Sequence, residues 1–231
     1  MKCLIYAIFF LPLLGWTAET GYRLDRSPHE PTDLVSLQSG ARTYVNYCLG
    51  CHGAQYVRYN SLTELGLTEE QIRDNLLFTG EKVGDMMRTP MRPQDAKKIF
   101  GVAPPDLSVI ARVRGADWLY TYLRTFYRDA KTATGWNNAV FTNVAMPHAL
   151  WQLQGERGYD REKRQWVELN KGTLSPTEYD ALVRDLVNFL AYISEPQAQS
   201  RKAIGIVVLF VLAGLFLLMW LLKREYWKDV K

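Results

Sequence analysis

The 231-residue sequence has few of the residues that bind metals or form disulfides, with only three cysteines and three histidines. So few cysteines cannot build a stapled miniature domain, so the chain needs a hydrophobic core, and its length suffices for one. It also lacks internal repeats and any series of alternating apolar and polar strands, so helices dominate its expected structure. A basic surface is missing too. The formal net charge is +4, but seven of the 28 Lys and Arg residues lie at the two ends, as do only two of the 24 Asp and Glu residues. Residues 19–200 are therefore near −1, which excludes a nucleic-acid footprint.

The apolar residues are concentrated at the ends. Residues 1–18 (MKCLIYAIFFLPLLGWTA) place one Lys before a short apolar run and then small residues, the layout of a secretory signal peptide. Cleavage after Ala18 is expected, although bulky Trp16 stands where a small residue is preferred; a retained anchor would export the rest of the chain just as well. Residues 203–222 carry no charge, and ~1.5 Å of rise per residue makes them about 30 Å of helix, enough to span a bilayer. Lys223, Arg224, Lys228 and Lys231 come after this run and only Arg201 and Lys202 precede it, which favours a cytoplasmic tail at 223–231. The expected organisation is a periplasmic domain at 19–200 held at the inner membrane by a single C-terminal anchor.

Without the leader only Cys48 and Cys51 remain, in Tyr47-Cys48-Leu49-Gly50-Cys51-His52. Two cysteines separated by two residues cannot staple a domain of this size. Cys-x-x-Cys-His is the pattern of covalent haem attachment. Two thiols add to the two vinyl groups on one side of the porphyrin, and the next imidazole becomes the proximal iron ligand. A thioredoxin-like pair would need a βαβ setting, and a zinc site would need more ligands than the chain offers nearby.

An electron carrier fills both axial positions of its iron. The available donors are Met86, Met87, Met91, Met146 and His148. Met146 is favoured because Pro147 biases it towards the extended backbone of a strap, with His148 as the alternative. Met86, Met87 and Met91 read instead as packing or a surface turn.

Helices are expected at 33–47, weakened by Gly40; from the Thr68 capping box to about residue 78; at 92–100; at 117–127; and from the Ser175 capping box to residue 193. Pro196 should break the last of these ahead of the membrane. Residues 130–172, rich in Gly, Asn and Trp, read as long loops.

Beyond CLGCH, the chain carries Ser36-Leu37-Gln38 with Gly40-Ala41, Asn46-Tyr47, Pro104-Pro105-Asp106-Leu107-Ser108, Tyr127-Arg128-Asp129 and NVAMP around Met146. With these it resembles the cytochrome c1 family, the haem-c subunit of bacterial ubiquinol:cytochrome c oxidoreductase (the cytochrome bc1 complex). The resemblance implies a mainly α, class I cytochrome c-like haem domain with long loops, plus one C-terminal transmembrane helix. It implies haem c on Cys48 and Cys51, with His52 and Met146 as axial ligands. Pro105 would pack at the haem, and Arg114 would pair with a propionate, with Arg112 as its rival. Trp118 stands where relatives often have a propionate-contacting Tyr. The implied role is one-electron transfer from the Rieske iron–sulfur protein to a cytochrome c, beside a cytochrome b subunit in a dimeric complex. No nucleophile or acid–base pair suggests catalysis by the isolated chain. The alternatives are a free-standing anchored cytochrome c donating to an oxidase and, if the Met146 position were open, a haem peroxidase or ligand sensor.

Overall fold

A computed structural model describes residues 21–229; the expected leader at 1–18 lies outside them. Two helices form the frame. Helix α1 (Leu34–Tyr47) starts where the Asp33 carboxylate accepts the Ser36 N–H, and it buries Leu37, Ala41, Tyr44 and Val45 along one stripe. The final helix of the core, Pro176–Ser194, begins with a full Ser175/Glu178 capping box and Pro in its first turn, and it buries Val183, Leu186, Val187 and Leu190.

These two helices cross at Gly40, the residue expected to weaken α1. A side chain there would collide with the Asp185 backbone, so glycine permits the close approach. Ser36 seals the crossing by donating to Asp185 at 2.7 Å while accepting from Asn188 at 3.0 Å. Tyr44 and Phe189 meet beside it with ring centroids 5.6 Å apart.

Smaller elements complete the domain. Strand β1 (Ala54–Arg58) comes after the CLGCH turn and pairs with β2 (Met86–Met87). A 3-10 segment (Tyr59–Leu65) and α2 (Glu69–Asn75) lie between them. The Thr68 capping box forms, but α2 stops at Asn75, earlier than expected. Helix α3 (Pro93–Phe100) ends on Gly101, at φ 79°. Helices α4 (Ile110–Arg114) and α5 (Ala116–Arg124) lead into β3 (Phe126–Arg128), which pairs with β4 (Trp136–Asn138).

The expectation of structureless loops over 130–172 needs correction. After a short α6 (Trp151–Gln154), β5 (Gly155–Asp160) and β6 (Gln165–Lys171) form an antiparallel hairpin. Its stabilisation comes from aromatic packing: Tyr159 and Trp166 meet at a tilt across the strands with centroids 4.5 Å apart, and Arg157 lies over Trp166. The core helix at 176–194 is therefore α7, and after Glu195–Gln197 the chain enters α8 (Ala198–Tyr226). Within α8, residues 200–226 are long and apolar enough to cross a membrane, and the side chains of this stretch are exposed.

Candidate functional site

The CLGCH segment continues directly from α1. The Leu49 N–H still bonds Tyr44, and the N–H groups of Cys51 and His52 both return to the Cys48 carbonyl, at 3.0 and 2.7 Å. One tight turn thus gathers both thiols and the imidazole, and its only fully buried side chain is Leu49. Tyr44, itself buried, donates its hydroxyl to the His52 carbonyl at 2.8 Å.

The second motif closes over this turn. His52 Nδ1 donates to the Pro105 carbonyl at 2.8 Å, across 53 residues of chain. The next residue, Asp106, pins this segment, taking the Gln55 N–H on one carboxylate oxygen and the Ser108 N–H on the other, at 2.8 and 2.9 Å. Ser108 accepts the Tyr56 N–H, and the Leu107 N–H returns to Gly53 at 2.7 Å. PPDLS is therefore a latch holding one carbonyl against one imidazole nitrogen. With Nδ1 occupied, Nε2 is the nitrogen left for a metal. Burial holds the imidazole below its ordinary pKa, although the bond to Pro105 and the nearby Asp106 oppose this, so the ring is kept neutral.

The thiols are unpaired with one another. Burial pushes the Cys48 thiol up to about 12, with a smaller push from Cys51, and raises Cys51 as well. A reactive dithiol pair needs a lowered thiol pKa, and burial shifts both thiols the other way. Among the described residues, no three His, Cys, Asp or Glu side chains cluster as a zinc site requires.

Met146 sits half-buried on a strap held by two buried asparagines of β4. Asn138 accepts the N–H groups of Val140 and Phe141, while Asn137 accepts that of Asn143, whose φ is 57°. The Met146 sulfur accepts the Tyr122 hydroxyl at 3.3 Å. His148 is 2% exposed and packed inward: it stacks on Phe126 at 4.8 Å, meets Trp136 edge-on, and donates Nε2 to Gln154. Met87, in β2 opposite Ala54 of β1, is fully buried packing, as expected of that group of methionines.

Arg114, at the end of α4, lays its guanidinium over Trp118 at 4.9 Å and Phe141 at 5.7 Å, with no carboxylate partner among the described residues. Arg112 is exposed on the same short helix. Trp118 stacks on Tyr122 at 4.7 Å. Sequence reasoning missed Tyr122, Tyr44, Asp106 and the two asparagines. The four-residue spacing of Trp118, Tyr122 and Phe126 was the available signal for the first of these.

The donor set fits a haem: two free thiols, an imidazole with one nitrogen spare, a thioether, and a cation without a carboxylate partner. Leu107, Ile110, Ala111 and Trp118 are half-buried apolar neighbours against the core. The Cytochrome C1 family model matches residues 25–230. The chain belongs to the cytochrome c1 family. It is 44% identical over 243 residues to the cytochrome c1 of Allochromatium vinosum, with all of both chains covered. It is 48% identical over 230 residues to a Nitrosomonas europaea protein named ammonia monooxygenase gamma subunit, covering all of this chain and 98% of that one. The cytochrome c1 of Rhodospirillum rubrum is 28% identical over 236 residues, covering 86% and 83%. Cytochrome c1 proteins carry haem c, and the mainly α haem domain with one C-terminal apolar helix agrees with the architecture expected from sequence.

Proposed function

We propose that this member of the cytochrome c1 family is the one-electron carrier subunit of ubiquinol:cytochrome c reductase, accepting from the Rieske iron–sulfur protein and delivering to a cytochrome c. In this reading the domain at 19–200 faces the periplasm after removal of a leader at 1–18. The segment at 203–222 anchors it beside a cytochrome b subunit of a dimeric complex, and residues 223–231 lie in the cytoplasm.

Cys48 and Cys51 would hold the haem through thioethers, and His52 Nε2 and the Met146 sulfur would bind its iron. Pro105 keeps the His52 tautomer through its carbonyl, and Arg114 would neutralise a propionate beside Trp118. Bound there, a haem supplies one reversible electron at its iron, and no proton-handling side chain is needed. The observation that carries the assignment is the His52–Pro105 bond, which joins CLGCH and PPDLS into one unit. The inward packing of His148 supports Met146 as the sixth ligand. Replacing Met146 with Leu should lower the midpoint potential sharply and open a ligand position; an unchanged potential would sink the assignment.

The full-length relative named as a monooxygenase subunit favours a second reading, attachment of this carrier to an ammonia monooxygenase. Reduced-minus-oxidised spectra of the tagged chain, purified with its partners in mild detergent, separate the readings. A c-type band with b-type haem and quinol:cytochrome c activity supports the reductase. Monooxygenase subunits without b-type haem support the second reading, and a c-type band alone points to a free-standing anchored carrier.

A further inference from the structure

Tyr122 is held more tightly than a surface hydrogen-bond donor would be. Its ring stacks on Trp118 with 12° between planes and 4.7 Å between centroids, and it meets Phe126 edge-on at 5.0 Å. Asn138 Nδ2 donates to its backbone carbonyl at 2.8 Å, and the residue is 8% exposed. Asn138 also anchors the strap that carries Met146, through Val140 and Phe141. The phenol and the thioether are therefore set against each other by one shared side chain.

We propose that Tyr122 is a positioning residue for the Met146 thioether, fixing the sulfur and withdrawing electron density from it through the hydroxyl hydrogen bond. The inference rests on Met146 being the axial ligand. A sulfur that shares a lone pair with a phenol donates less to the oxidised iron, so the hydroxyl favours the reduced state and raises the potential. Trp118 contributes through its face, as the plate that holds the Tyr122 ring flat, with the Arg114 guanidinium over the same indole.

The test uses the full chain extracted with its partners in mild detergent. Tyr122→Phe keeps the ring between Trp118 and Phe126 and removes only the hydroxyl. Its midpoint should fall so that the ferric-to-ferrous ratio at the wild-type midpoint rises about threefold, about 28 mV at ~59 mV per decade for one electron. The sulfur-to-iron charge-transfer band of the oxidised protein should persist. Site-specific 3-fluorotyrosine at position 122 strengthens the donor and should shift the midpoint the other way. It also decides the matter by its sign if the Phe variant fails to take up haem. An unchanged midpoint in either protein, with the charge-transfer band present, overturns the inference. A band and a potential indifferent to Met146→Leu, measured alongside, would remove the ligand assignment itself, which is a separate failure.

Discussion

Replacing Gly40 with alanine tests the helix crossing that supports the site. A methyl group there would stand 2.0 Å from the Asp185 carbonyl oxygen and 2.7 Å from Phe189 Cβ, where ordinary contact begins at 3.4 Å. The obstacle is the backbone of a buried helix, so α1 and α7 must separate by about 1 Å in an interior that is close-packed. On an exposed helix the same change would gain about 1 kcal/mol through propensity. Here overpacking against backbone costs about 3 kcal/mol. Looser contact around Leu37, Tyr44, Leu186 and Phe189 costs about 1 kcal/mol more through lost dispersion. The net loss is about 3 kcal/mol, and at ~2–4 °C per kcal/mol for a chain of this size the Tm should fall by about 6–12 °C. Circular dichroism of the detergent-solubilised full chain, at fixed heating rate, measures it. A Tm equal to or above wild type would mean that propensity wins and that the two helices do not approach so closely.

Two further substitutions probe the latch and the loop beside it. Asp106→Ala leaves the Gln55 and Ser108 N–H groups without their acceptor, which should cost about 1–3 kcal/mol and lower the urea midpoint and the fraction of chains carrying haem. Unchanged values for both would show that Asp106 does not pin the segment that carries Pro105. At Asp85, the backbone N–H groups of Glu81 and Lys82 hold the carboxyl below its usual range. A depressed folded pKa contributes stability above the unfolded value of about 3.9 and loses it as pH falls through the folded value. Exchange protection at Glu81 and Lys82 should therefore decline below about pH 4 and be low at every pH in Asp85→Ala. Full protection in that variant at neutral pH would refute this account of the loop.

The sequence made the frame and the first half of the site legible because both are local. Asp33, Thr68 and Ser175 each cap a helix by bonding a residue three positions on. CLGCH is a single turn whose chemistry is contained in its spacing. What escaped depends on distant partners. Gly40 reads as a weak point in α1 until Asp185 is seen against it. Nothing in PPDLS announces that the Pro105 carbonyl will accept a hydrogen bond from His52 across 53 residues. The asparagines of 130–143 looked like loop formers, and some of the loop is indeed there, but Asn137 and Asn138 are buried and organise it. The β5–β6 hairpin was hidden because its strands lack clean alternation; β6 is exposed at nearly every residue and depends on Trp166 and its aromatic neighbours.

Only Glu195–Gln197 separates α7 from α8, and Glu195 forms an ion pair with Arg201 across the junction. Three residues span at most about 10 Å, so the domain has no tether on which to travel. Because α7 packs on α1, and α1 runs into CLGCH, the proposed haem site is a fixed station a short mechanical chain away from the apolar helix. Any donor or acceptor that must cover distance has to do the moving itself, and a longer or glycine-rich joint inserted at 195–197 would turn a mast into a pendulum.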